Sequence, residues 1–307
     1  MIGAIRGWST RRKIGVGIVL TWVFGTAGLG VAFGLSGKKN SSFLPQDEFK
    51  ILNWAHLFGP IYLNKVVLYL VLAALITCGF MYWVARRMQL RPNRVQTAVE
   101  LAYGIVRQQI TGDNMDDSMS RKWFPFVATL FFFILVSNFL GYLPLPVNTE
   151  PLEELHIFGA HLPNFQLYAA TTNISFPLTL ALLVYIAFNG EGIRAHGPIG
   201  YVKSLIPAGV KGGMLALIFP IEILSNILRL LSLTIRLWAN LLAGHMLISF
   251  MSGGLAVILG LKWLAWALLP FGVIIYMFEA VLIAGLQAFI FAILAAIYLG
   301  SAVSEQH

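Results

Sequence analysis

The sequence predicts an all-α integral membrane protein of about six apolar helices, with a surface amphipathic helix and two long, tilted C-terminal helices. Three observations carry that class. Hydrophobic residues fill 58% of the 307 positions and charged residues only 11%, which is too little polar surface to cover a water-soluble globule. The apolar residues come in runs long enough to cross a hydrocarbon layer of about 30 Å. The net charge of +8 gathers at the ends of those runs, as the positive-inside rule expects, and not in a basic patch for nucleic acid. The lone cysteine, Cys78, lies inside an apolar run and offers no disulfide framework.

The first apolar run, residues 14–35, follows Arg6, Arg11, Arg12 and Lys13. It reads as a spanning helix, with a signal peptide as the alternative; it is long for a signal and lacks an A-x-A cleavage pattern. The second, 65–85, stops at RRMQLRPNR, a cytoplasmic marker. VQTAVELAYGIVRQQI follows at helical spacing but is too polar to cross, so it is expected to lie along the inner surface. The third run, WFPFVATLFFFILVSNFLGYLPLP, leads to an external loop holding Glu150, Glu153 and Glu154. The fourth, 165–188, returns to GEGIRAHGPIGYVKS, where Arg194 and Lys203 mark the inside. The fifth covers 214–251 and the sixth 268–301, leaving both termini cytoplasmic. Lys38, Lys39, Lys50 and Lys65 oppose this orientation, and Asp47 and Glu48 offset only part of their charge. Residues 1–37 are thus an extra membrane helix or signal, and 38–307 a single membrane domain.

No soluble catalytic domain is visible. GLSGKK fails as a phosphate-binding loop because its first glycine is misplaced and no Ser or Thr follows the lysine. There is no HExxH, no CxxC and no internal repeat. His156 and His161 flank the acidic external loop without the ligand set a metal site needs. No cofactor is expected.

The fifth run carries the polar residues that need explaining. A charge inside an apolar helix costs about 2.5–3.5 kcal/mol on insertion scales, so it faces protein or water. Glu222, Arg229 and Arg236 recur every seven residues, close to two helical turns, and therefore share a stripe. Ser225, Ser232 and Asn240 stand three or four residues from those charges and widen the seam. At about 1.5 Å per residue, Glu222 lies roughly 21 Å before Arg236 and His245 roughly 13 Å after it. The sixth helix, returning antiparallel, bears Glu279 and Gln287. If Gln287 matches Arg236 in depth, Glu279 lies about 12 Å further out, near the level of His245. Asn240, His245 and Glu279 then form an outer cluster, Glu222 with Ser225 and Arg229 an inner one, and Arg236 divides them.

A guanidinium does not deprotonate in proteins, so Arg236 cannot hand protons onward. It can lower the pKa of a carboxylate brought beside it and force that group to release its proton. Two polar paths ending at one fixed cation describe a device in which a carboxylate loads on one path, passes, and unloads on the other.

EILSNILRLLSLTIRLWANLLAGH and LQAFIFAILAAIY closely resemble the two C-terminal helices of the a subunit of F-type ATP synthases. The resemblance puts that family's essential arginine at Arg236 and its asparagine at Asn240. It puts an acidic residue at Glu222, the residue nine positions downstream at His245, and the glutamine of the QAF run at Gln287. More weakly, it extends back to the second run. FPFVATLFFFILVSNFLGYLP is similar to the family's third segment, with Asn138 for its asparagine, and ATTNISFPLTLAL to a T.D.N.T segment, with Asn173, Ser175 and Pro177 departing from it. Glu279 stands eight residues before Gln287 instead of the commoner seven. The proline after the basic position at Arg229 is absent.

What the resemblance implies is a stator, with ion-path helices over 205–303. Two aqueous half-channels lie beside a ring of c subunits, and proton flow turns that ring. The implied partners are the c-ring, b-type peripheral stalk subunits, the remainder of the complex and membrane lipid, in a bacterial inner membrane. The chain is no enzyme by itself.

Plainer roles stand beside these for each residue: snorkelling for Arg236, packing or the interface for Arg229, a helix end for Glu222, and a hydrogen-bonded core for His245 and Glu279. Asn240 and Gln287 also suit ordinary interhelical bonds. Two rival functions remain. An independent ion or solute carrier lacks visible inverted repeats. An intramembrane hydrolase using Ser232 or Ser225 with His245 needs a contact across roughly 20 Å of one helix.

Overall fold

The computed structural model describes residues 53–58, 61–143, 145–146, 155–157, 160–162, 165–166, 169–204, 213–251, 255, 259 and 262–303. The first apolar run, GLSGKK and the acidic trio Glu150, Glu153 and Glu154 lie outside those residues. Five described helices are long and apolar enough to cross a membrane, in an all-α membrane protein with short antiparallel strand pairs in its connections.

Helix α1, Lys65–Arg86, starts where the Asn64 side chain accepts from the Val67 N–H at 3.0 Å, an N-cap that satisfies one orphan donor of the first turn. It ends on Arg86, whose charge favours a helix C-terminus. Helix α2, Arg94–Gly104, is capped in the same way by Asn93 and runs on as a π-helix over Ile105–Gly112. This is the amphipathic stretch, and its apolar side is committed: Val106 and Ile110 are wholly buried in the core.

Helix α3 spans Asp117–Gly141 and α4 spans Ser175–Ser204. The fourth span therefore starts ten residues later than the apolar run suggests. Phe165–Gln166 pairs instead as a short strand with Leu145–Pro146, and Ala170–Thr172 makes a 3-10 turn. The Asn173 side chain then accepts from the Ser175 N–H at 2.9 Å, the local bond that starts the helix. Near its C-terminal end α4 breaks at Gly197, where φ is +71° and ψ 165°, a region essentially reserved for glycine. Pro198 opens the following limb, as suits a helix start.

Helix α5 runs over Gly213–Ser249, α6 over Lys262–Phe278, a π turn over Glu279–Ile283, and α7 over Ala284–Val303. The chain divides into two compact units, and the described residues of the first fall within Gly244–Glu279, at the end of α5 and in α6. The second unit, 51–243 with 280–307, contains the core. Its α7 contributes Ala288, Ala292, Ala295 and Ala296, all fully buried, and such small residues let neighbouring helices approach closely. Leu233, Leu237 and Leu241 of α5 join the same core at four-residue spacing.

His156 and His161 face each other as strand partners in a hairpin of Leu155–Ile157 with Ala160–Leu162. Among the described residues no three His, Cys, Asp or Glu side chains gather to hold a metal.

Candidate functional site

The buried stripe of Leu233, Leu237 and Leu241 fixes which way the rest of α5 faces. Its polar seam falls on the flank of that stripe: Glu222, Ser225 and Arg229 are half-buried, while Ser232, Arg236 and Asn240 are exposed. Leu224, Leu228, Leu231 and Ile235 extend the exposed side as an apolar surface. Arg236 has no carboxylate or hydrogen-bond acceptor among the described residues. A permanent cation on an apolar helix face, without a partner among the described residues, suits one supplied by another subunit.

The Arg229 guanidinium lies 5.4 Å from the centre of the Tyr298 ring, a cation–π contact that joins α5 to α7. It makes the two helices neighbours and serves as a depth mark. Counting antiparallel from that pair, the level of Arg236 meets α7 four residues beyond Gln287, about 6 Å away. Gln287 itself is buried, at 4% exposure.

On the other side of Gln287, the Asn138 side-chain amide donates to the Ala284 carbonyl at 3.2 Å. Its Oδ1 is buried and accepts nothing, and the Ser137 and Thr171 hydroxyls are also buried without partners. Nearby in sequence, the Thr172 carbonyl accepts from Trp238 Nε1 at 2.9 Å. Three orphaned buried polar atoms in adjoining elements are the pattern that ordered water satisfies. Ser137 and Thr171 were not visible as site residues in the sequence, because a hydroxyl in an apolar run more often bonds its own helix.

In the other unit, His245 is buried at 2% exposure and Glu279 is half-buried, both engaged with neighbours. The Glu279 carboxylate lies directly on Gly244, where a methyl group would collide with it. Glu279 thus sits beside the turn of α5 that carries His245. Gly244 had no signal of its own in the sequence beyond standing before His245.

Comparison with known proteins adds an independent line. The family described as ATP synthase A chain matches residues 67–300. A protein of Nocardioides named ATP synthase subunit a is 34% identical over 269 residues, covering 85% of this chain and 88% of its own. One of the same name from Rubrobacter xylanophilus is 36% identical over 239 residues, covering 77% of this chain and 83% of its own. A third, from Gluconobacter oxydans, is 32% identical over 256 residues, covering 81% and 92%.

Proposed function

Because the chain belongs to the ATP synthase A chain family, we propose that it is the stator subunit of a rotary ATP synthase, supplying two proton half-channels that end at Arg236. It is a multi-pass protein of the bacterial plasma membrane. The observation that carries the reading is Arg236, exposed on an apolar face of α5 with no partner among the described residues.

A fixed cation of this kind suits a partner whose carboxylate arrives, is held ionised beside the guanidinium, and leaves. A ring of c subunits presenting one membrane carboxylate each has that chemistry, and the exposed leucines around Arg236 offer it an apolar track. Glu222, with Ser225 and Arg229, lines the inner path. The outer path is assigned to Asn240, His245, Glu279 and Gln287, and within the second unit the orphaned polar atoms of Ser137, Asn138 and Thr171 suit water. Asn240 and Gln287 also hold the guanidinium's surroundings polar. Stalk subunits of the b type anchor the stator against the turning ring. The chain is not an enzyme by itself: it moves protons, and a separate catalytic head makes ATP.

The energetics set the design. One charge crossing 100 mV releases about 2.3 kcal/mol, so several protons must pass for each ATP. Any leak between the half-channels would short-circuit that sum, and an arginine, which cannot give up its proton, blocks it. The hydrolase reading loses its geometry, since α5 is one unbroken helix and leaves Ser232 and His245 roughly 20 Å apart. ATP-driven acidification of inverted vesicles, with assembly confirmed, tests the proposal. Arg236→Ala is expected to abolish pumping; pumping at the normal rate would make Arg236 structural.

A further inference from the structure

At the inner end of α4 one side-chain oxygen holds two helices. Asn189 Oδ1 accepts from the Tyr201 hydroxyl at 2.7 Å and from the Asn226 side-chain amide at 3.0 Å. Its own Nδ2 donates to the Tyr185 carbonyl at 2.7 Å, which fixes the amide's orientation. Tyr201 reaches Asn189 only because the chain turns back at Gly197 and because Gly192 has no side chain: a methyl at Gly192 would strike the Tyr201 ring. Asn226 and Tyr201 are each 8% exposed. Two glycines and two buried donors therefore converge on one acceptor.

We propose that Asn189 is a positioning residue that fixes the rotation of α5 about its own axis, and so the direction in which Arg236 projects. The inference rests on the stator reading for its consequence and on geometry for its cause. Leu233, Leu237 and Leu241 hold α5 to the core through apolar contact, which is non-directional, so directional ties set the azimuth: Trp238 Nε1 holds the Thr172 carbonyl on one side of Arg236, and on the other side, beyond the ring contact of Arg229 with Tyr298, stands Asn226. The bond from Asn226 is directional. It lies ten residues before Arg236, about 15 Å along the axis, and a rigid helix carries an azimuth over that distance. A passing carboxylate pulls Arg236 sideways, and a stator helix that rolled with it would lose the fixed point on which coupling depends. Asn189 is not in contact with Arg236 and takes no part in proton transfer.

The test uses the assembled complex with Cys78→Ser and Ser232→Cys, so that maleimide labelling of position 232 reports the azimuth of α5. Asn189→Leu removes both bonds; Asn189→Asp keeps an acceptor for both. Expected are a several-fold change in labelling rate and a several-fold fall in protons pumped per ATP for Asn189→Leu, each largely restored in Asn189→Asp. Labelling unchanged by Asn189→Leu, or changed equally by both variants, overturns the proposal. If Asn189→Leu does not assemble, Asn226→Leu removes the same bond from the α5 side, and an unaltered labelling rate there overturns it as well. Arg236→Ala measured alongside separates the two readings: its normal pumping would defeat the stator, while the labelling result would still decide the positioning role.

Discussion

Gly244 matters for what it lacks. The Glu279 carboxylate occupies the space a side chain would fill, so Gly244→Ala must push it away from the turn that carries His245. Displacement by about 1 Å at a reacting group costs up to about a hundredfold in rate. Gly244→Ala is therefore expected to lower ATP-driven pumping at least tenfold in assembled complex, matching Glu279→Gln; pumping within twofold of normal would leave Glu279 a packing residue. Arg236 gives the complementary case. Lysine keeps the charge but not the planar fork, and its proton can leave when it is desolvated. Arg236→Lys is expected to fail in pumping and, unlike Arg236→Ala, to retain a cation able to bind the ring. Passive proton leak through vesicles, measured without ATP, distinguishes a barrier that has become a relay.

At the scale of elements, the helices were readable where hydrophobic run and cap coincide. Asn64 caps α1 within a residue of the run's start, and α5 fills its apolar run to within two residues at each end. The start of α4 was not readable, because Phe165 and Leu167 extend the apolar run while Asn173 governs where the helix begins. The seam of α5 followed from heptad spacing alone. Its neighbours did not: which residues of α3 and of the turn before α4 reach it depends on long-range packing, such as Trp238 on Thr172, that no local pattern encodes. Glu279 and Gln287 stand eight residues apart, and the helix between them opens with a π turn over Glu279–Ile283, a winding that takes up an extra residue within a helix. The break in α4 has a local cause and a testable price: alanine at Gly197 would be held at a φ of +71°, a strain of order 1–3 kcal/mol. Gly197→Ala is expected to lower the thermal midpoint of the purified complex, whereas Gly190→Ala, with nothing near its would-be Cβ, is expected to be neutral or mildly stabilising.

At the scale of the whole molecule, orientation decides which path is inner and which outer. Arg86, Arg87, Arg91 and Arg94 are all exposed at one end of α1, and two of them lie over interfacial rings: Arg86 4.9 Å from Tyr82 and Arg87 5.1 Å from Trp83. Basic and aromatic residues together mark the cytoplasmic interface. Lys65, at the opposite end, had seemed to argue against this, but it is 6% exposed and engaged with its surroundings; a buried lysine is not a loop charge, and the rule counts only loops. With Cys78→Ser as background, Arg91→Cys is expected to react with a membrane-impermeant maleimide in inverted vesicles and not in right-side-out ones. Leu143→Cys, at the far end of α3 and 52% exposed, is expected to do the reverse. If both reactivities came out the other way, the helices would stand as described, but Glu222 would open to the outside and His245 to the cytoplasm. The same proton gradient would then turn the ring in the opposite sense.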